Sequence, residues 1–204
     1  MFETEIKGVK LVLETSPELF SPSSADFGTL AMLSRAEFKP DDRVLDLGCG
    51  CGLVGITAAK LIGAEKVALC DISPKAVEIS RKNAELNGVP ELKVYLSDGL
   101  SGVPAGNFTL ILSNPPYHAD FSVPKRFIEE GFGRLEVGGR MVMVTKRLDW
   151  YKNKLAAVFG GVRTEEVNGY FVFTAEKRSE RPPRREKSRG GLSKKLLKKQ
   201  KGRK

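Results

Sequence analysis

The sequence predicts an α/β fold: a doubly wound, mostly parallel sheet of seven strands with helices on both faces, ending in an antiparallel hairpin. Three observations predict it. Short apolar runs alternate with helical patterns between residue 43 and residue 160. A glycine-rich turn, "DLGCGCGLVG", joins the first of those runs to a helix. Finally, Asn168 and Gly169 separate two strand-like runs near residue 175, a hairpin signal because both central turn residues need positive φ.

Taken in order, "IKGVKLVLETS" reads as an N-terminal strand ahead of the sheet, within a segment 1–40 expected to cover the ligand side. The parallel strands are RVLDL (43–47), KVALC (66–70), LKVYL (92–96), FTLILS (108–113) and RMVMVT (140–145). Such short apolar runs suit strands buried on both faces. "SPKAVEISRKNAELNG" is the clearest helix, with Ser73 as cap, Pro74 at the first helical position and Gly88 just past the end. In "LDWYKNKLAAVFG", Trp150 shares an approximate helical period with Leu148, Tyr151, Leu155 and Val158, so it reads as part of an apolar helix face. There is no internal repeat.

Composition bounds the function. With 204 residues, 41% hydrophobic and 29% charged, the chain can bury one sizeable core. It has no apolar run long enough to cross a membrane and no secretory leader, so a soluble, cytoplasmic protein without membrane contact is expected. Cys49, Cys51 and Cys70 include no CxxC pair, which argues against both a disulfide framework and a metal site. The net charge of +9 is concentrated at one end: residues 176–204 carry 14 Lys/Arg against 3 Asp/Glu, net +11, leaving 20 against 22, net −2, for residues 1–175. That division is also the expected domain boundary. Residues 1–175 would form one folded domain and 176–204 a basic tail too poor in large apolar residues to fold alone, suited to nucleic acid.

The chemistry-bearing residues cluster at the carboxyl ends of the strands. Gly48, Gly50, Gly52 and Gly55 let the backbone approach a ligand at a helix N-terminus. Residues 50–55 match GxGxxG, and Asp71 follows about 20 residues on, as nucleoside-cofactor folds require. Asp46, just before the loop, would repel a pyrophosphate but can order the loop, which favours a cofactor without phosphates. Asp98, in "YLSDGL", lies at another strand end. "LILSNPPYHAD" then opens onto the same edge. Pro115 and Pro116 offer no N–H and stiffen the chain, so the Asn114 amide oxygen and the Pro115 carbonyl can accept from an –NH₂ group while Tyr117 offers a ring for stacking. An amino group on a flat ring is the substrate this pattern suggests. His118 reads as a packing or backbone-contacting residue, with contact to a substrate phosphate as the alternative, and Cys49 and Cys51 as small residues in a crowded loop.

At these motifs the chain resembles the class I S-adenosylmethionine-dependent N-methyltransferases of the small-domain (MTS) type, with a Rossmann-like sheet. Within them it is most similar to bacterial ribosomal-RNA guanine-N2 methyltransferases, through "FSPSSADFGTLAML", "LCDISPKAVEISRKNAELNGV" and "ILSNPPYHAD". The likeness covers roughly residues 20–175, and the larger members carry an N-terminal domain with no counterpart here. It implies S-adenosyl-L-methionine as cofactor, bound by Asp46, Gly48, Gly50, Gly52, Asp71, Ile72, Asp98, Gly99 and Asn114, and a catalytic group of Asn114, Pro115, Pro116 and Tyr117. In it the glycines hold the methionine part, Asp71 the ribose hydroxyls and Asp98 the adenine. Ribosomal RNA is the implied partner, reached through the tail. Asn-Pro-Pro-Tyr reads an amine rather than a particular base, so adenine N6 of RNA and the N5 of a protein glutamine remain alternative targets. From other classes, an NAD(P) oxidoreductase fits GxGxxG but leaves Asn114 unexplained, and a non-catalytic RNA-binding protein fits the tail alone.

Overall fold

The computed structural model describes residues 1–17, 26–104, 106–116 and 120–183. Its elements are β1 (Phe2–Ile6), β2 (Val9–Leu13), α1 (Phe27–Arg35), β3 (Val44–Leu47), α2 (Leu53–Ile62), β4 (Val67–Asp71), α3 (Pro74–Leu86), β5 (Lys93–Leu96), β6 (Phe108–Ser113), α4 (Ser122–Arg134), β7 (Leu135–Thr145), α5 (Leu148–Phe159), β8 (Arg163–Val167) and β9 (Tyr170–Glu176). Seven strands form one sheet in the order β5-β4-β3-β6-β7-β9-β8, parallel except for β9, which runs antiparallel to both neighbours. From β3 the chain winds outward to β4 and β5, then returns through β6 to the other side of β3. The direction therefore reverses between β3 and β6, and open α/β sheets bind ligands in the crevice at such a point.

Strand alternation divides the core between the two faces of the sheet. Val44, Leu110, Leu112, Val142 and Val172 pack with Met32 of α1, Ile56 of α2 and Val77 of α3. Their neighbours Leu45, Ile111, Met141, Met143 and Phe173 face the other way, against Phe127 and Ile128 of α4 and Leu155 of α5. Trp150 lies only partly buried on α5, while Tyr151, Leu155 and Val158 are buried.

Several expectations change in detail. The N-terminal segment is a separate two-stranded hairpin rather than a single strand, because Lys7 and Gly8 both adopt positive φ and reverse the chain. It is held by α3: Asn87 exchanges bonds with the Val12 backbone at 3.0 and 2.7 Å, and Asn83 with the Glu14 backbone at 2.7 and 2.9 Å. The strand expected at 140–145 begins at Leu135, with a register shift against β6 between Phe108 and Leu110. The Asn168–Gly169 hairpin turn has φ values of 52° and 78°.

The boundary after Ala175 falls inside the fold. β9 continues to Glu176, and Lys177 is 3% exposed, its ammonium donating to the Leu135 carbonyl at 2.7 Å and lying over the Phe132 ring. Residues 184–204 of the expected tail lie outside the described residues.

Candidate active site

The glycine turn is a backbone cradle held from below. Gly48, Gly50 and Gly52 have φ of 79°, 57° and 85°, a region other residues enter at a cost. Gly48 and Cys49 donate their N–H groups to the Cys70 carbonyl at 2.9 and 3.0 Å, which ties the turn to β4. From α3, Ser80 donates to the Gly50 carbonyl at 3.0 Å and Asn83 to the Cys51 carbonyl at 2.8 Å. The same Asn83 holds the N-terminal hairpin, so one side chain fixes both.

Asp46 orders the turn from beneath: it is 2% exposed and accepts from the Gly55 N–H in the first turn of α2 at 2.9 Å. Burial pushes its carboxyl up to about 7, against the lowering effect of the Gly55 N–H, and the Asp71 charge adds to the rise. Asp71 accepts from Gly50 N–H at 3.0 Å and from Ser73 N–H at 2.9 Å, bridging the glycine turn to the start of α3.

Beside the turn lies a cavity of about 330 Å³. Gly48, Gly50, Asp71, Ile72, Asp98, Gly99, Asn114 and Pro116 all line it, together with Val123, Arg126 and Phe127 of α4. Ile72 is 65% exposed, an apolar side chain standing at the edge of this space. Of the residues the sequence singled out, Asp46, Gly52 and Gly55 do not line it: Asp46 is under the loop, Gly52 caps α2, and Gly55 is packed against Leu69. Pro115 is buried behind the ledge, and Tyr117 and His118 lie outside the described residues.

Asp98 is exposed and already engaged. Both its oxygens meet the Arg126 guanidinium, which lowers its pKa from the ordinary carboxylate value. Glu130, one turn on in α4, accepts from Leu100 N–H at 2.9 Å and braces the same loop.

At the far side of the cavity the Asn114 amide is oriented by a helix cap. Its nitrogen donates to Asp26 Oδ2 at 2.7 Å and to Thr29 Oγ1 at 2.9 Å, and the same Asp26 oxygen accepts the Thr29 N–H at 2.8 Å to cap α1. An amide whose N–H donors face α1 turns its oxygen the other way. Ser113 Oγ donates to the Leu47 carbonyl at 2.8 Å, locking the ends of β6 and β3 together. Motif reading missed Asp26, Thr29 and Arg126. A capping Asp just ahead of "FGTLAML" was the one available signal for the first.

Burial raises the thiols of Cys49, Cys51 and Cys70, so none stands ready as a thiolate. Among the described residues no group of three His, Cys, Asp or Glu could hold a metal ion, and no helix is long and apolar enough to cross a membrane. A larger groove of about 460 Å³ lies at the opposite end of the strands, lined by Arg35, Arg140, Arg163 and Arg178. Three of those charges are paired within the protein, Arg140 with Asp42 and Arg35 and Arg163 with Glu165. None of the residues singled out above lines it.

The family model described as a methyltransferase small domain matches residues 10–174. A ribosomal RNA small subunit methyltransferase C from Hahella chejuensis is 37% identical over 165 residues, which are 79% of this chain and 48% of that protein. YbxB of Bacillus subtilis, an uncharacterized protein, is 32% identical over 165 residues, 78% of this chain and 82% of its own length. Among solved structures, the T. thermophilus 16S rRNA N2 methyltransferase RsmC, in complex with AdoMet and guanosine, superposes with a TM-score of 0.74 at 28% identity. The match covers 87% of this chain and 50% of that one. The chain thus spans about half the length of the ribosomal RNA methyltransferases it matches.

Proposed function

The chain belongs to the methyltransferase small domain family, and from that premise we propose that it methylates an exocyclic amine with S-adenosylmethionine, the amine being guanine N2 of ribosomal RNA. The observation that carries this reading is the pairing of two features across one cavity: a glycine cradle with Asp71 on one side, and on the other an Asn114 amide oriented from behind by Asp26 and Thr29. Relatives that this chain matches along half their length are named as ribosomal RNA methyltransferases, and the structural neighbour was solved with AdoMet and guanosine.

The residues present suit that cofactor. Gly50 lines the cavity, and a Cβ built there would meet nothing within 4 Å, so its backbone is open to a ligand. Asp71, the acid that lines the cavity beside the cradle, suits the ribose hydroxyls of a nucleoside cofactor, while Asp46 lies beneath the turn and holds it through Gly55. Gly48 and Gly50 would hold the methionine part, Asp71 the ribose hydroxyls, Ile72 and Asp98 the adenine. Bound there, the cofactor supplies a methyl group on a cationic sulfur.

The chain's own contribution is orientation. An exocyclic amine is a poor nucleophile because its lone pair is delocalised into the ring. Accepting its two hydrogens at the Asn114 oxygen and the Pro115 carbonyl favours a pyramidal nitrogen whose lone pair is directed at the methyl group. Alignment of this kind is worth up to about 7 to 11 kcal/mol in favourable intramolecular cases, so no general base is required: the nitrogen, cationic once methylated, is acidic enough to release its extra proton to water. A base within a duplex has to leave its stack to reach the ledge, at a cost of roughly a few kcal/mol, and an unpaired base reaches it more cheaply.

The test is transfer of labelled methyl from S-adenosylmethionine to ribosomal RNA or subunits lacking the modification, followed by nucleoside analysis. N2-methylguanosine is expected. Label in N6-methyladenosine or in protein glutamine would overturn the target. Asn114→Ala should abolish most of the transfer while lowering cofactor affinity far less.

A further inference from the structure

A second group of side chains emerges at the edge of the sheet that carries Asn114. β6 and β7 pair in parallel with Ser113 opposite Met143, so Thr145 at the end of β7 stands level with Pro115. Lys146 and Arg147 follow at once, one strand over, where neighbouring strands are about 4.8 Å apart. Both are exposed. Among the described residues neither has a carboxylate within ion-pair distance, and both side chains lie over rings: Lys146 Nζ is 4.9 Å from the Tyr170 centroid and Arg147 Cζ is 5.0 Å from that of Phe121.

Phe121, which opens α4 just after the Asn-Pro-Pro stretch, is itself stacked on Trp150 with centroids 4.4 Å apart and planes at 19°. Trp150, half-buried against the core, is thus also the base of a shelf: ring on ring, with a guanidinium beside them. A guanidinium lying against a ring keeps its N–H fork directed outward and loses less freedom when it binds an anion.

Helix stability does not account for these cations. Arg147 is the N-cap of α5, makes no side-chain capping bond, and stands with Lys146 at the end of the helix where the backbone dipole disfavours positive charge. Asp149 in the first turn and Asp120 beside α4 are the local acids, and Asp120 is engaged with Ser122 N–H at 2.7 Å. Lys125 and Lys152 add further exposed positive charge to the same two segments.

We propose that Lys146 and Arg147 clamp the RNA backbone next to the nucleotide being methylated, with Phe121 as the positioning residue that holds Arg147 ready. Phosphate contacts of this kind fix register and orientation rather than read sequence. The proposal rests on the reading of the chain as an RNA methyltransferase, and it places part of the RNA affinity on the folded domain in spite of the near-neutral charge of residues 1–175.

The test is equilibrium binding of an unmodified ribosomal RNA fragment across a salt series, with S-adenosylhomocysteine present. The double variant Lys146→Ala, Arg147→Ala should lower the salt slope of log K by about 1.4, at about 0.7 per lost phosphate contact on single strands. RNA affinity at low salt should fall at least about tenfold, while cofactor affinity and melting temperature stay at wild-type values. Phe121→Leu should weaken RNA binding in the wild-type background and add nothing when Arg147 is already Ala. An unchanged slope and affinity in the double variant would overturn the clamp. An equal Phe121→Leu loss in both backgrounds would overturn the positioning role. A wild-type protein that binds no RNA would overturn both this proposal and the functional reading, whereas unaltered variants of a protein that does methylate RNA would overturn the clamp alone.

Discussion

The Asn114 amide nitrogen donates to Asp26 Oδ2 across 88 residues of sequence, and that same oxygen caps α1 through Thr29 N–H. One acceptor atom thus sets a helix start and the orientation of the proposed catalytic amide. Asp26→Ala should cost about 1 kcal/mol of stability through the lost cap. It should also slow methyl transfer by up to about a hundredfold, the scale on which a misplaced group costs rate. Cofactor affinity should hold. Asp26→Asn keeps an oxygen at the shared position and should be mild on both counts. Single-turnover rates with urea melts check this, and equal rate losses in the two variants would show that the charge, not the acceptor, matters.

Asp71 bridges two segments before any ligand arrives, since it accepts from both Gly50 and Ser73. Asp71→Ala removes the proposed contact to the ribose hydroxyls, charge-assisted bonds of roughly 1.5 to 3 kcal/mol. It also releases the glycine turn. Calorimetry should therefore find S-adenosylmethionine affinity reduced at least about tenfold, with a much smaller loss in the rate at saturating cofactor. Undiminished affinity would remove Asp71 from the site.

What the sequence made legible, and what it did not, divides by the range of the interaction. β3 and β6 were visible as mostly apolar runs, broken only by Asp46 in β3 and by Thr109 and Ser113 in β6, because both their faces are buried. α3 was visible because Ser73, Pro74 and Gly88 mark its ends through local backbone chemistry. The turn at Lys7–Gly8 carried no comparably strong hairpin dipeptide, so the first hairpin read as one strand. Gly138 and Gly139 hid the early start of β7 in what looks like a loop. Gly48, Gly50, Asp71 and Asn114 belong to compact motifs, whereas the bonds from Asn114 to Asp26 and from Arg126 to Asp98 span 88 and 28 residues. No spacing rule announces such pairs. The buried Lys177 was concealed by charge, because a lysine at the head of a basic run looks like tail.

Asp46 makes stability depend on pH. In the unfolded chain its carboxyl loses its proton near 3.8, whereas in the folded chain burial keeps it until about 7. Between those values the native state holds an extra proton, so this group's contribution is fully present below the lower value and is lost as pH rises through the upper one. Relative to Asp46→Asn, which can still accept from Gly55, the wild type should lose up to about 1.4 kcal/mol per pH unit within that window and nothing more above it. Urea denaturation of both proteins from pH 4 to pH 8 measures the difference. A constant difference would mean the buried carboxyl is ionised throughout.

Gly50 and Gly55 sit five residues apart and should fail differently. A Cβ at Gly55 would lie 2.4 Å from the buried Leu69 side chain, so Gly55→Ala should cost about 1 to 3 kcal/mol by overpacking under α2. At Gly50 nothing lies within 4 Å, but φ is +57°, a strain of roughly 1 to 2 kcal/mol for an L residue. Gly50→Ala should therefore be the variant that impairs cofactor binding, because Gly50, unlike Gly55, lines the proposed binding space and its positive φ is strained for alanine. Thermal melts with and without S-adenosylmethionine separate the two, and a Gly50→Ala protein stabilised by the cofactor as much as wild type would remove Gly50 from the cradle.

The basic tail has to be cut in the right place to be tested. Removal after Ala175 takes away Lys177, whose ammonium reaches the Leu135 carbonyl and whose backbone exchanges bonds of 2.7 and 2.9 Å with Gly138 and Gly139. Such a protein should melt several degrees lower, and a loss of RNA binding would then say nothing about charge. Removal after Pro183 leaves those contacts intact and deletes 11 Lys/Arg and 1 Glu, a net of +10. This shorter cut should keep melting temperature and cofactor affinity at wild-type values. If the segment neutralises about six phosphates, it should also flatten the salt dependence of log K for RNA by about four units. The slope that remains should be the part carried by Lys146 and Arg147, so combining the truncation with Lys146→Ala and Arg147→Ala should remove about 1.4 units more. A truncated protein with the wild-type slope would mean that the folded domain holds the RNA without the tail.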